Sequence, residues 1–529
     1  MLKKFFGIQG GNKMAKVMTV TEAVKTYIKD GSTITFGGFI GSAHPEEVSL
    51  TIEQEFLENG SPNNLTLLYC AGMGDGKEKG LNHLGHEGLV SKVIGGHWGL
   101  VPKLQKLALE NKIAAYNLPQ GVISQLYRDT AAGKPGMITH VGLKTYMDPR
   151  LGGGKINEKA SEAGELVELI NIHGEEKLFY NAIPVDVAVI RATYADENGN
   201  CTMEHEGVTL DALSIAQATK NSGGKVIVQV ERVVQYGSLD TRLVKIPGIY
   251  VDAIVVAKPE NHMQTFGTQY NPAYSGEIRI PVDAIEPLPM DVRKVITRRA
   301  TMELVPNAIV NLGIGMPECI SAIAAEEGIG GMMLTAESGV IGGVPAAGLD
   351  FGVTANAECV IDQAYQFDFY DGGGLDAAFL GMAEMDGQGN VNVSKFGPRL
   401  PGCGGFINIT QNSKKVVFCG TFTAGGLQEE FRDGKLEIVQ EGRGKKLVKE
   451  VEQITFSGEY AREKGQEVYY VTERAVFKLT EEGVALIEIA PGVDLEKDVL
   501  GQMDFVPIMD DVKLMDERLF NEVKMGLQM

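Results

Sequence analysis

The sequence is short of positive charge, of paired cysteines and of long apolar runs. Forty-nine Lys and Arg against 69 Asp and Glu leave a formal net charge of −20. That is a poor footprint for DNA, RNA or anionic lipid, which call for basic surfaces, so neither a nucleic-acid nor a membrane partner is expected. The six cysteines (Cys70, Cys201, Cys319, Cys359, Cys403 and Cys419) contain no C-x-x-C pair. Such scatter suits a reducing compartment and argues against structural zinc. No window approaches the ~20 apolar residues of a membrane helix, and MLKKFFGIQGGNKMAK lacks the apolar stretch of a signal peptide. A cytoplasmic location is the expectation. Histidine ends at His262, so the second half of the chain has no imidazole base of its own.

Glycine is abundant: 66 of 529 residues, against a usual share of ~7%. Without a collagen-type repeat, these glycines belong in turns and where backbone approaches a ligand. A chain of this length exceeds what one hydrophobic core supports, so at least two domains are expected.

An internal duplication gives those domains their form. Val185 to Ile190 leads to Asp196-Glu197-Asn198-Gly199-Asn200; 190 residues on, Leu375 to Leu380 leads to Asp386-Gly387-Gln388-Gly389-Asn390. In each, a buried strand runs into a tight turn whose Gly-Asn suits positive φ. Asn221-Ser222 before strand Val226-Val228 has its counterpart in Asn412-Ser413 before Val416-Phe418. Thr19-Val20-Thr21-Glu22 reads as a capping box opening a helix to about Asp30, ahead of strand Thr33-Phe36 and Gly37-Gly38. In the second half a helix from Val292 to Leu304 precedes strand Ala308-Asn311 and Gly313-Ile314-Gly315. Helix and strand alternate, and the strands are continuous apolar runs, the pattern of mainly parallel sheets covered on both faces. The expected architecture is two similar α/β domains, 1–285 and 286–529, divided in the proline-rich stretch Ile285-Pro289, with a site between them.

One acid stands out. Met332-Met333-Leu334 reads as the end of a buried strand, and Glu337 follows directly, before Ser338-Gly339 and Gly342-Gly343. Ligands of open α/β sheets bind at such strand ends, and a carboxylate placed there is a nucleophile or base, or else a solvated Glu in a Gly-rich turn. The matching position in the first half lies at or beside Cys70, so only one copy keeps an acid.

Other chemistries fit poorly. Ser338 is not in a G-x-S-x-G elbow. His83, His86 and Glu87 have the order H-x-x-H-E rather than H-E-x-x-H, and surface or supporting roles are expected in place of a metal. Gly313-x-Gly315 begins a dinucleotide fingerprint, but Glu318 occupies its third glycine position. A shortened glycine turn of this kind still suits a phosphate or a pantetheine backbone. Two segments are suited to meeting a developing negative charge: Asn117-Leu118-Pro119-Gln120-Gly121, with a side-chain amide, and Pro401-Gly402-Cys403-Gly404-Gly405-Phe406, with backbone N–H groups. Each alone is also readable as an ordinary turn; with Glu337 they point to carboxylate attack on a carbonyl.

The chain resembles the family I CoA-transferases, in particular the single-chain propionate/acetate type, over nearly its whole length. The motifs are AESG-x-IGGVP at Ala336 to Pro345, QFD-x-YDGGG-LD at Gln366 to Asp376, FGPR-x-x-GCGGFINITQN at Phe396 to Asn412, and FCGTFTAGG at Phe418 to Gly426. The resemblance implies two CoA-transferase α/β domains fused in one chain and assembled as homodimers or homotetramers. It makes Glu337 the nucleophile, gives oxyanion duty to Gln120, Gly404 and Gly405, and makes Gly313, Ile314, Gly315 and Gly404 CoA contacts. It implies ping-pong transfer of CoA between short-chain acyl-CoA and small carboxylic acids, with acyl-CoA as substrate, no permanently bound cofactor and no metal. An acyl-CoA hydrolase or a non-catalytic CoA sensor on the same scaffold are the rival readings. Met1 to about Lys13 lies outside the resemblance.

Overall fold

In the computed structural model, which describes residues 15–281 and 288–527, two parallel-stranded sheets carry the chain. The first has eight strands, in the order Lys16–Met18, Ala253–Val256, Lys225–Val230, Val187–Arg191, Thr33–Phe36, Leu65–Tyr69, Val90–Gly95 and Ala114–Asn117. Every neighbouring pair in it is parallel. Its central strand Val187–Arg191 is buried throughout, as a strand covered by helices on both faces must be; each Val or Ile so buried contributes about 1.5–3 kcal/mol.

The second sheet has ten strands, parallel at its centre and again at one edge, where Lys513–Leu514 runs parallel to Gly483–Ile489. Met333–Thr335, Ile309–Leu312, Ala377–Gly381, Lys415–Cys419 and Glu467–Val471 run parallel. On either side the chain turns back antiparallel, through Val340–Ile341 and Cys359–Val360 at one flank and Ala475–Thr480 and Gly483–Ile489 at the other. Hairpin returns replace helical crossovers there, which apolar periodicity alone does not distinguish. The expected boundary between residues 285 and 286 and the segment Met1 to Lys13 lie outside the described residues.

The duplication reaches hydrogen-bond detail. Asp196 Oδ1 accepts from the backbone N–H groups of Asn198 and Asn200 (2.9 and 3.0 Å), and Asp386 Oδ1 from those of Gln388 and Asn390 (3.0 and 3.1 Å). Asp186 Oδ2 accepts from Thr33 N (2.8 Å) and Asp376 Oδ2 from Ile309 N (2.9 Å). Both halves thus secure the start of the strand at the same place, with the same side chain.

Helix ends differ from expectation. The capping box at Thr19 and Glu22 is present, but the helix is Val20–Tyr27: Ile28 turns extended and is buried, and Asp30 accepts from Ser61 and Asn63. The helix Val292–Thr301 stops short of Leu304 because Glu303 and Leu304 bond three residues back, to Ala300 and Thr301, the tightening common at helix ends. One core cluster joins the halves: Val340, Phe351, Cys403 and Ile407 pack among residues of the first sheet's face.

Candidate active site

Glu337 does not end an open strand. Thr335 pairs antiparallel with Ile341, and Gly339 N donates to Ala336 O (3.0 Å) while Ala336 N donates to Val340 O (2.9 Å). Glu337 therefore sits at the apex of a tight turn. Gly339 is required there: its φ is +101°, and a Cβ would lie 2.0 Å from the Ile361 carbonyl oxygen. Met333 and Leu334 are half-buried rather than buried, because the returning strands place this segment near the sheet flank. Ser338 is buried and donates to Gly352 O (2.6 Å), which leaves its hydroxyl fixed in the turn.

The Glu337 carboxyl opens into a cavity of about 240 Å³ between the halves. Burial pushes its pKa up, only partly countered by hydrogen bonds from its own backbone and from Asn311, and no cation among the described residues contributes. Asn311, on Ile309–Leu312, also lines the cavity, and its buried Oδ1 has no hydrogen-bond partner among the described residues. Nothing local marked this residue beyond its place at a strand end.

The first half supplies the opposite wall. Gln120 opens the helix Gln120–Ala131 and is part of the cavity lining. Its backbone N donates to Gly404 O (2.9 Å), and its Nε2 to Gln363 Oε1 (3.0 Å). Asn117 fastens the glycine turn of the second half: its Nδ2 donates to Gly95 O and Gly96 O (2.8 and 2.6 Å), and its Oδ1 accepts from Cys403 N (2.9 Å).

That fastening corrects the expectation of several free N–H groups. Gly404 N donates to Gly96 O (2.8 Å) and is already engaged. Gly405 N, at the start of Phe406–Gln411, has no acceptor among the described residues and is the donor left in the turn. The Gly313 turn is similarly divided. Gly313 and Ile314 line the cavity, with Gly313 N donating to Phe379 O (2.8 Å). Gly315 is outside the lining, and its N–H donates to Glu318 Oε1 (2.8 Å). The residue that blocks the dinucleotide fingerprint thus occupies the amide a phosphate would use.

His97 lines the same cavity, bringing to Glu337 an imidazole that the second half lacks. Burial lowers its pKa to about 4, so the ring is neutral at physiological pH. It was not legible in the sequence, since Gly96-His97-Trp98-Gly99 has no motif and Glu337 is remote along the chain.

His83 is buried and His86 half-buried, each in a supporting network of carboxylates. His83 lies between Glu46 and Glu53 (3.0 and 2.5 Å), and His86 bonds Glu53 (2.6 Å), while Glu87 pairs with Lys112. Among the described residues no group of three or more His, Cys, Asp or Glu is arranged to hold a metal ion, and no helix is long and apolar enough to cross a membrane.

Residues 17–257 match the family model described as Coenzyme A transferase. The chain is 52% identical over 522 residues to the caffeate CoA-transferase of Acetobacterium woodii, covering 97% of this chain and 99% of that protein. It is 45% identical over 518 residues to the acetate CoA-transferase YdiF of Escherichia coli K12, covering 97% of each. The crystal structure of the YdiF acyl-CoA transferase apoenzyme from E. coli O157:H7 superposes with a TM-score of 0.92 at 44% identity, over 98% of both chains. A thioester complex of YdiF with CoA gives the same TM-score.

Proposed function

The chain belongs to the coenzyme A transferase family, and on that premise we propose that it moves CoA between carboxylic acids by ping-pong transfer through Glu337. It is a CoA-transferase with acyl-CoA as substrate. The observation that carries the nucleophile's assignment is a carboxyl without a cationic partner among the described residues, in the cavity between the halves, with Cys70 at the equivalent place in the other sheet.

In the proposed sequence a Glu337 oxygen attacks the thioester carbonyl and the carbon–sulfur bond breaks. An acyl-glutamyl anhydride forms and CoA leaves as thiolate. The thiolate attacks the Glu337 carbonyl carbon, releases the first acid as carboxylate and leaves a glutamyl-CoA thioester. An acceptor carboxylate reverses both steps. Gln120 Nε2 and Gly405 N supply the oxyanion donors; Gly313 and Ile314 lie along the CoA chain.

The first step is uphill. A carboxylate of reference pKa ~4.3 displaces a thiolate of ~8.5, a mismatch of about 5–6 kcal/mol. Binding of the distant parts of CoA is the offset, used at the reacting centre. A cavity of about 240 Å³ holds an acyl group and the thioester but not the nucleotide, which stays outside it. Enclosure also keeps water from the anhydride.

The acids we propose are short-chain ones such as acetate, propionate, butyrate and lactate, exchanged by a homodimer or homotetramer. A second reading, an aryl acid, is favoured by the rings of Phe39, Phe351 and Phe406 in the cavity wall and by the caffeate relative. The test is intact mass after incubation with acetyl-CoA alone, beside Glu337→Ala. A wild-type adduct of CoA less one water, absent from the variant and discharged by acetate, propionate or caffeate, is the expected result. Steady consumption of acetyl-CoA without an adduct would replace transfer by hydrolysis, and ligand binding without adduct or consumption would leave a CoA sensor.

A further inference from the structure

One buried cluster has no part in the chemistry above. Behind Gln120, the side chains of Cys70, Ser124, Asp211 and Gln363 close into a chain of hydrogen bonds, all of them buried. Ser124 Oγ donates to Asp211 Oδ1 (2.5 Å). Gln363 Nε2 donates to Asp211 Oδ2 (2.8 Å) and to Cys70 Sγ (3.0 Å). Cys70 Sγ donates to Gln120 O (3.0 Å), and Gln120 Nε2 donates to Gln363 Oε1 (3.0 Å).

A glutamine amide has a donor end and an acceptor end of nearly the same shape, and only its partners decide which way it faces. An ionised carboxylate is an acceptor only. Asp211 therefore obliges Gln363 to turn its NH2 group inward, which leaves the Gln363 carbonyl facing Gln120. Gln120 must then meet that carbonyl with its own NH2 group. One of its two amide hydrogens is used there, and the other has no acceptor among the described residues. The direction set at Asp211 is thus passed through two amides to the wall of the cavity.

We propose that Asp211 is a positioning residue for transfer: acting through Gln363, it fixes which end of the Gln120 amide is the donor end and so sets the oxyanion donor. The inference rests on the reading of Gln120 as that donor. Asp211 and Gln120 belong to the first half and Gln363 to the second, at the start of the helix Gln363–Asp371. That helix is seated by Gln363 N on Leu210 O (3.3 Å), by Thr209 Oγ1 on Asp362 (2.7 Å), and by Lys245 on the same carboxylate. The donor is therefore set only when the halves are docked.

Protonation would reverse the relay, because a neutral Asp211 donates to Gln363 Oε1. Burial pushes Asp211 up to about 6, helped by the nearby charge of Asp362 and opposed by the Ser124 hydrogen bond and by Arg128. Tyr127 also faces it and stays protonated, since burial raises its pKa well above the usual value. Loss of the Ser124 hydroxyl weakens the ionised form and raises the Asp211 pKa, while Glu337 is untouched.

The experiment is a set of kcat and KM measurements against pH, with the best acyl-CoA and acid pair, on the parent, Gln120→Ala, Asp211→Asn, their double variant and Ser124→Ala. Gln120→Ala should lower kcat by about 10²–10³. Asp211→Asn, read together with Ser124→Ala so that Ser124 no longer selects which end of the new amide faces Gln363, should lower kcat at least tenfold with KM for acyl-CoA within twofold. The double variant should be no slower than Gln120→Ala, and Ser124→Ala should move the acid limb of kcat to higher pH. Should Asp211→Asn not fold, the Ser124→Ala limb carries the decision. If Gln120→Ala is slow but Asp211→Asn with Ser124→Ala keeps the parent kcat, if the two losses multiply, or if the Ser124→Ala limb does not move, the relay is wrong and the Gln120 reading stands. If Gln120→Ala keeps the parent rate, the oxyanion reading falls and the relay with it.

Discussion

Cys70 stands in the first sheet where Glu337 stands in the second. The register shows it: Ile34 pairs with both Val187 and Leu67, and Val310 with both Ala377 and Leu334. Three residues past Leu67 is Cys70, and three past Leu334 is Glu337. The two equivalent positions have taken complementary work. Glu337 faces the cavity as an acid raised by burial, and Cys70 faces the back of Gln120 as a thiol held protonated by burial, bonded to Gln120 O and Gln363 Nε2. A duplicated strand end thus supplies the reacting group in one copy and a support for its opposite wall in the other.

The turn that carries Glu337 should not tolerate a side chain at Gly339. Alanine there must hold φ at +101° and place its Cβ 2.0 Å from Ile361 O; strain of this kind costs about 1–3 kcal/mol. Gly339→Ala is expected to lower Tm and to reduce kcat at least tenfold, because relief comes by shifting the Ala336–Val340 turn. Thermal melting beside steady-state kinetics checks it; an unchanged kcat would show that the turn moves without moving the carboxylate.

Truncating the donor should affect rate more than saturation. If binding of the remote parts of CoA offsets the uphill first step, acetyl-pantetheine or a shorter acetyl thioester should show a kcat far below that of acetyl-CoA. A raised KM with kcat unchanged would mean that the remote contacts serve ground-state binding alone.

Asp371 should make stability depend on pH. Its Oδ1 accepts from Asn408 and its Oδ2 from Gln125 (both 2.9 Å), yet burial, with Asp368 nearby, pushes it up to about 7. In the unfolded chain an Asp titrates near ~3.9. The folded protein therefore holds this proton more tightly, so the contribution is complete below about pH 4 and is lost as pH rises through about 7. Asp371→Asn cannot titrate. Its Tm relative to the parent should rise across that window, whatever the offset at low pH. Parallel Tm–pH curves would assign no such linkage to Asp371.

Much of this molecule is written locally, and those parts were legible in the sequence. The Thr19–Glu22 box, the Asp-x-x-Gly-Asn turns after Val187–Arg191 and Ala377–Gly381, and the placement of a lone acid after Met333–Thr335 depend on neighbours a few residues apart. Apolar runs and turn chemistry report such relations directly. The α/β class and the two-fold repeat follow from them.

What only the tertiary structure decided is how distant groups share their hydrogen bonds and their space. The sequence marks both Gly404 and Gly405, but Gly96 engages the first and leaves the second. It marks Gly315, whose amide Glu318 takes. His97 and Asn311 carry no motif and reach Glu337 only because two sheets bring their strand ends to one cavity. Local pattern constrains backbone conformation within a few residues, whereas the state of a donor or a carboxyl is set by partners and burial contributed from hundreds of residues away.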